Sequence, residues 1–198
     1  MSALPKRHFT PEEYLEMEVK AEYKSQYLAG EIFAMAGAQP WHIVVTGNLI
    51  TALNLRFRGR ACHVYFSDMR LSVRAGGLYT YPDVMALCGK PEFDDAYNPV
   101  SLLNPQVIFE VLSPSTEAFD RGDKFTRYRK LDSLTDYVLV SADRMRIEHH
   151  ALQRSGVWRY EEYEHPSNHL RLASVDCEVP LAEIYDKVEL PEPGFGAK

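Results

Sequence analysis

Nowhere does this chain hold an apolar run near the roughly 20 residues that a membrane-spanning helix needs. Its first ten residues carry Lys6, Arg7 and His8 with no apolar stretch behind them. A secretory leader is therefore not expected, and the cytoplasm is the expected compartment. Cysteine is scarce as well: Cys62, Cys88 and Cys177 are the only 3 in 198 residues, widely spaced and without a CxxC pair. An odd, scattered set argues against both a disulfide framework and a structural zinc site, and leaves three small buried hydrophobes as the expectation. Glycine-rich phosphate loops, an HExxH helix and a GxSxG elbow are also missing, so the chemistries those motifs serve have no support. Positive charge is in deficit, with 22 Lys+Arg against 28 Asp+Glu and a net charge of -6. Tight general binding to nucleic acid usually needs a basic surplus, so any phosphate-binding surface here has to be a local arrangement.

What is present suits one globular domain: 45% hydrophobic and 25% charged residues, in a chain long enough to bury a sizeable core. A single domain is expected over residues 1–190, with 191–198 as a loose tail. Thr10-Pro11-Glu12-Glu13 reads as a helix start, with Thr10 as N-cap, Pro11 at the first helical position and Glu13 closing a capping box. Residues 26–35 suggest a hairpin around Ala29-Gly30. A longer helix follows from Pro40, ended by Gly59. Strands are expected over 62–66, 69–73, 80–87 and 106–112, and the last is apolar on both faces except for Glu110. Residues 120–131 read as a helix and 137–140 as a further strand. A β-meander over 145–151, 157–163 and 169–172 and a short helix near 181–185 complete the pattern. The order implies an α/β fold with a mixed α+β sheet.

The chemistry begins at Glu110. A carboxylate amid Val107, Ile108, Phe109, Val111 and Leu112 is costly unless it is paired or binds a metal. A salt bridge to an Arg or Lys would explain it, as would a place at the exposed end of the strand. Asp83, in Tyr81-Pro82-Asp83-Val84, enters another apolar strand. Two carboxylates on neighbouring strands repel unless one is protonated or a cation lies between them, and hard oxygen donors suit Mg²⁺ or Mn²⁺. Alternation puts residue 112 on the face of Glu110, but residue 112 is leucine. The nearest lysine is Lys124 on the following helix, in a stripe with Asp120 and Tyr128 at i, i+4 and i+8. That helix could bring Lys124 back to Glu110, or Lys124 could simply pair with Asp120.

The runs PDV at 82–84, FEVLSPST at 109–116, DRGDKFTRYRKL at 120–131 and DYVLV at 136–140 resemble the Uma-two family of restriction endonucleases, within the PD-(D/E)XK nuclease superfamily. The resemblance extends to FTPEEYLEME at 9–18, GEIFAMAGA at 30–38 with His42, and SDMRLSV at 67–73. It implies a restriction-endonuclease-like core with flanking helices and a C-terminal β-meander. It further implies that Asp83 and Glu110 are the metal-holding acids, with Mg²⁺ or Mn²⁺ as cofactor, DNA as substrate and partner, and Lys124 in place of the strand lysine that this chain lacks. Catalysis needs an ammonium at a point in space, so such a shift is physically tolerable.

His42, Glu31 and Asp68 also match family positions. His42 is open to a direct part or to a plain hydrogen-bonded place on the helix; Glu31 to a further metal ligand or to ordinary strand polarity. Asp68 with Arg70 reads as a turn cap with a structural ion pair, and Tyr128 as packing. His149, His150, His165 and His169 read as solvated surface. Cutting both strands of a duplex favours two-fold symmetry, so a homodimer is expected. The competing reading is a nuclease-fold binding or scaffold protein with little turnover, and a third is hydrolysis of another phosphodiester.

Overall fold

The computed structural model describes residues 8–35, 37–94 and 100–190, so the expected tail at 191–198 lies outside the described residues. Thr10 opens α1 (Pro11–Glu18). Its hydroxyl accepts the Glu13 amide and the Glu13 carboxylate accepts the Thr10 amide, closing the expected box. β1 (Ser25–Leu28) and β2 (Glu31–Ala34) form a hairpin whose turn residues, Ala29 at φ 46 and Gly30 at φ 98, both take the left-handed backbone that a two-residue reversal demands. α2 (Pro40–Phe57) buries Val45, Leu49, Ala52, Leu53 and Phe57 along one side. Gly59, at φ 76, turns the chain away after it.

The chain continues as β3 (Cys62–Phe66), β4 (Arg70–Val73), β5 (Leu78–Thr80), β6 (Val84–Cys88), β7 (Phe93–Asp94), β8 (Ser101–Leu102) and β9 (Val107–Leu112). The single strand expected over 80–87 is thus two strands in two different sheets. Pro82 has no N–H for a ladder, and the chain crosses between sheets at Tyr81-Pro82-Asp83. After β9 come α3 (Glu117–Phe119), a π-helical turn (Asp120–Lys124) and α4 (Phe125–Tyr128), where one helix over 120–131 was expected. Then follow β10 (Asp136–Ser141), β11 (Ile147–Leu152), β12 (Trp158–Tyr163), β13 (His169–Leu172), β14 (Cys177–Pro180) and α5 (Leu181–Ile184).

Two six-stranded mixed sheets result, ordered β2-β1-β5-β4-β8-β7 and β12-β11-β10-β9-β6-β3. In the second, β9 and β10 are parallel and central, and β9 pairs antiparallel with β6. The meander runs through β10, β11 and β12 only. β13 pairs with β14 in a separate hairpin instead of extending it.

Alternation divides the second sheet cleanly. Val84, Ala86, Val107, Phe109, Val111, Val138 and Val140 pack under α2, the β13–β14 hairpin and α5. Met85, Leu87, Ile108, Leu112, Tyr137 and Leu139 face the first sheet and Tyr128 of α4. At about 25 cal/mol per Å² of apolar surface removed from water, these two layers carry most of the driving force for the fold. α1 closes the far side of the first sheet through Tyr14, Leu15, Tyr27 and Tyr79. No described helix is long and apolar enough to cross a membrane.

Two further sequence expectations are corrected. Cys62 and Cys88 form a disulfide, because β3 and β6 pair antiparallel with these residues directly across from each other. Their separation of 26 residues hides this, since the chain passes through the first sheet between them. Only Cys177 is the free, buried thiol expected. His149 and His150 are not solvated surface either. His149 is 1% exposed with Nε2 2.8 Å from Asp136 Oδ1, and His150 packs against the rings of Phe125, Tyr137 and Tyr160.

Candidate active site

The crossover at Pro82 sets Asp83 immediately before β6, at the mouth of the sheet. Val84 pairs with Phe109, so one step outward Asp83 stands across from Glu110. Asp83 Oδ2 accepts the Val111 amide at 2.7 Å and lies 3.3 Å from His42 Nε2, which reaches it from the first turn of α2. Desolvation alone would lower the His42 pKa, but the Asp83 carboxylate, with Glu110 and the Val111 backbone, reverses this and raises it.

Glu110 is 3% exposed, on the face of β9 opposite Phe109 and Val111. Its partner is the one the helix stripe offered: Lys124 Nζ stands 2.9 Å from Glu110 Oε1 and 3.0 Å from Asp120 Oδ1. Tyr128 donates its hydroxyl to the same Oε1 at 2.7 Å. Burial pushes the Glu110 carboxyl up to about 8 against the pull of Lys124, with Asp120 and Asp83 adding to the rise. Burial presses the Lys124 ammonium down, and Glu110 and Asp120 outweigh it and hold it above the usual lysine value.

The π-turn explains how Lys124 arrives there. Its wider winding brings residues four apart closer to eclipse than an α-helix does, so Asp120 and Lys124 project together toward β9. Tyr137 of β10 fixes the turn from below, donating to the Asp120 carbonyl at 2.9 Å.

Among the described residues both contacts to Glu110 fall on Oε1 and both contacts to Asp83 on Oδ2, which leaves one oxygen of each carboxylate without a partner among them. Two such hard donors on adjacent strands fit Mg²⁺ or Mn²⁺, which commonly keeps waters and takes substrate phosphate oxygens beside one or two carboxylates. Among the described residues no third His, Cys, Asp or Glu joins them in a metal-holding group.

The remaining expectations divide. Asp83, Glu110, Lys124, Asp120, Tyr128 and His42 converge on one strand end. Glu31 begins β2 at the edge of the first sheet and does not complete a metal-holding group with the two acids. The expected Asp68–Arg70 ion pair is replaced: Asp68 pairs with Lys24, while Arg70 runs into the interior and donates to Ser101 Oγ at 2.8 Å. Sequence reasoning missed Tyr137 and the pair of Arg121 with Glu148 of β11. Alternation along IEHHAL does set Glu148 opposite Ile147 and His149, but nothing local says that its face is covered.

Two mixed sheets with few helices, opening at the strand ends onto paired carboxylates and a lysine, define a restriction-endonuclease-like fold. A crystal structure described as a "putative nuclease belonging to DUF820", from Anabaena variabilis ATCC 29413, superimposes with a TM-score of 0.72. It covers 89% of this chain and 97% of that one at 16% sequence identity. Residues 11–182 match the Uma2 family, described as "Putative restriction endonuclease", and the chain belongs to that family. Two relatives from Synechocystis sp. (strain ATCC 27184 / PCC 6803 / Kazusa) are similar over most of their length. The uncharacterized protein sll1609 is 37% identical over 153 residues, covering 77% of this chain and 86% of its own. The uncharacterized protein slr1290 is 34% identical over 176 residues, covering 89% and 90%.

Proposed function

We propose that this protein is a Mg²⁺- or Mn²⁺-dependent endonuclease that hydrolyses phosphodiester bonds of DNA. The observation that carries the reading is the meeting of Asp83, Glu110 and Lys124 at one strand end, with one carboxylate oxygen of each acid unengaged by any described residue. Asp83 and Glu110 would hold the ion, which when bound supplies Lewis acidity toward a phosphate oxygen and a lowered pKa for attacking water. The Val111 amide and Tyr128 hydroxyl hold the two carboxylates in place, a positioning that costs nothing at the moment of reaction. Lys124 keeps its proton and offers a positive charge beside Glu110, where it can orient water or offset the charge that gathers on the phosphate. His42 stands at the rim and can share a proton with Asp83. A homodimer acting in the cytoplasm is part of this proposal, since two-fold symmetry matches a duplex substrate.

The test is incubation of purified protein with supercoiled and linear DNA, with Mg²⁺ or Mn²⁺ and with chelator. Cleavage that needs the ion and is lost in Asp83→Ala supports the reading. Equal Mn²⁺ binding by wild type and Asp83→Ala in calorimetry rejects the metal assignment. The net charge of -6 favours a second reading, a nuclease-fold binding or scaffold protein with little turnover. Metal binding without cleavage of any nucleic acid would select it.

A further inference from the structure

From Glu110 a row of acidic side chains continues across the second sheet to Glu148 and Glu162, which the proposed chemistry does not use. Glu110 pairs across the ladder with Leu139, Leu139 with Glu148, and Glu148 with Glu162. Direct cross-strand partners share a face, so Glu110 and Glu148 point the same way, two strand spacings or about 9.5 Å apart. Over this row lies the π-turn, which holds two cations three residues apart. Lys124 meets Glu110, and Arg121 forks onto Glu148, with Nε 3.2 Å from Oε2 and Nη2 on Oε1. The turn is fastened to the sheet by these two ion pairs, with apolar Leu139 between them, and by the Tyr137 hydroxyl on the Asp120 carbonyl.

We infer that Arg121 and Glu148 are positioning residues whose ion pair sets the register of the π-turn on the sheet and so holds Lys124 at Glu110. A planar guanidinium bound by two hydrogen bonds fixes direction as well as distance, which a lysine at the same place would not. Glu148 is 5% exposed, so water screens the carboxylate end of the pair little, while the Arg121 side chain is 30% exposed. Each member also has a second partner. Arg121 reaches Glu117 on α3, and Arg146 Nε lies 3.5 Å from Glu148 Oε1. Removing either residue therefore need not strand a bare buried charge, and the variants are expected to fold. As regards catalysis, the inference rests on the nuclease reading; as regards the placement of Lys124, it does not.

The experiment measures acetylation of individual lysines by acetic anhydride in the metal-free protein, read by peptide mass spectrometry. Wild type is compared with Arg121→Met, Glu148→Gln and the conservative Arg121→Lys. Exposed Lys20 and Lys90 serve as internal references. In wild type Lys124 is expected to react at least about tenfold more slowly than these, as a buried amine that reacts only on local opening should. In Arg121→Met and Glu148→Gln the Lys124 rate should rise about fivefold or more, with Lys20 and Lys90 unchanged and Arg121→Lys in between. A wild-type Lys124 rate in both folded variants would overturn the inference. In the cleavage assay, kcat should fall in the same order with KM held. Absence of cleavage by wild type would count against the nuclease reading alone, because the acetylation result does not depend on turnover.

Discussion

Lys124 and Glu110 lie on different elements, 14 residues apart in sequence, yet Lys124 Nζ is 2.9 Å from Glu110 Oε1 and both side chains are buried. A strand lysine two positions after the acid would reach such a point by alternation alone. In this chain that position is Leu112, packed into the core between the two sheets, and the ammonium arrives from above the sheet instead. The arrangement depends on how the helical segment docks, which makes it open to test.

Asp83→Ala should lower Mn²⁺ affinity by tenfold or more, since even the hydrogen-bond partners of metal ligands are worth about 10–100-fold in affinity. Glu110→Gln should do the same. Isothermal titration on the folded variants is the measurement, with circular dichroism as the control for fold. Full affinity in both would remove the ion from this pair.

Lys124→Met should abolish cleavage while leaving metal binding largely intact. It should also destabilise the protein by about 3 kcal/mol, because it strips the shared partner from two buried carboxylates, Glu110 and Asp120. Urea denaturation gives the stability and single-turnover cleavage the rate. A fully stable, fully active variant would reduce Lys124 to a surface-like helix pair.

Tyr128→Phe removes only the hydroxyl that donates to Glu110 at 2.7 Å. A cost of about 1 kcal/mol is expected for a buried hydrogen bond. The ring keeps its packing, so a much larger loss of stability would show that the hydroxyl does more than hold the carboxylate.

Burial pushes the His150 imidazole below its usual range; neighbouring His149 and Arg129 add to this, and Glu148 opposes it. The unfolded chain therefore binds more protons at this residue between its lowered folded pKa and about 6.5. Stability should fall as pH drops through that interval and return above it. Denaturant unfolding at about pH 7.5 and about pH 5.5 should show His150→Phe losing less stability than wild type on acidification. The aromatic cluster of Phe125, Tyr137 and Tyr160 accommodates the new ring. An identical pH response in the two proteins would contradict the assignment.

The Cys62–Cys88 disulfide closes a loop of 26 residues in sequence separation. Unfolded without reductant, the protein should titrate one thiol, that of Cys177, and three after reduction. Removing the bridge by Cys62→Ala/Cys88→Ala should cost about 3 kcal/mol, the scale set by loop closure in the unfolded chain. Three free thiols in the untreated protein would contradict the pairing.

Much of the local structure is legible in the sequence. The Thr10 capping box, the Ala29-Gly30 reversal, the Pro40 helix and the apolar β9 run are local statements, set by side-chain hydrogen bonds, φ preference and periodicity. The two acids stood out because a carboxylate in or beside an apolar strand needs a reason. Lys124 came into view from i, i+4 spacing. Other features depended on contacts between distant segments. Pro82 showed a break, but not that the chain changes sheets there and so leaves Asp83 at the mouth. Cys62 and Cys88 carry no motif, and only the β3–β6 ladder brings them face to face. His149 reads as polar surface until Asp136 and the β13–β14 layer cover it.

Amino-acid order by itself thus determined which residues could do chemistry and which local elements carry them, because propensity, capping and alternation act over a few residues. Tertiary structure alone decided that Asp83 stands across from Glu110, that Lys124 reaches Glu110, and that Arg121 and Glu148 brace the turn that delivers the lysine. Such meetings depend on which strands become neighbours and which face of the sheet is covered, and both are settled by the burial of the whole core.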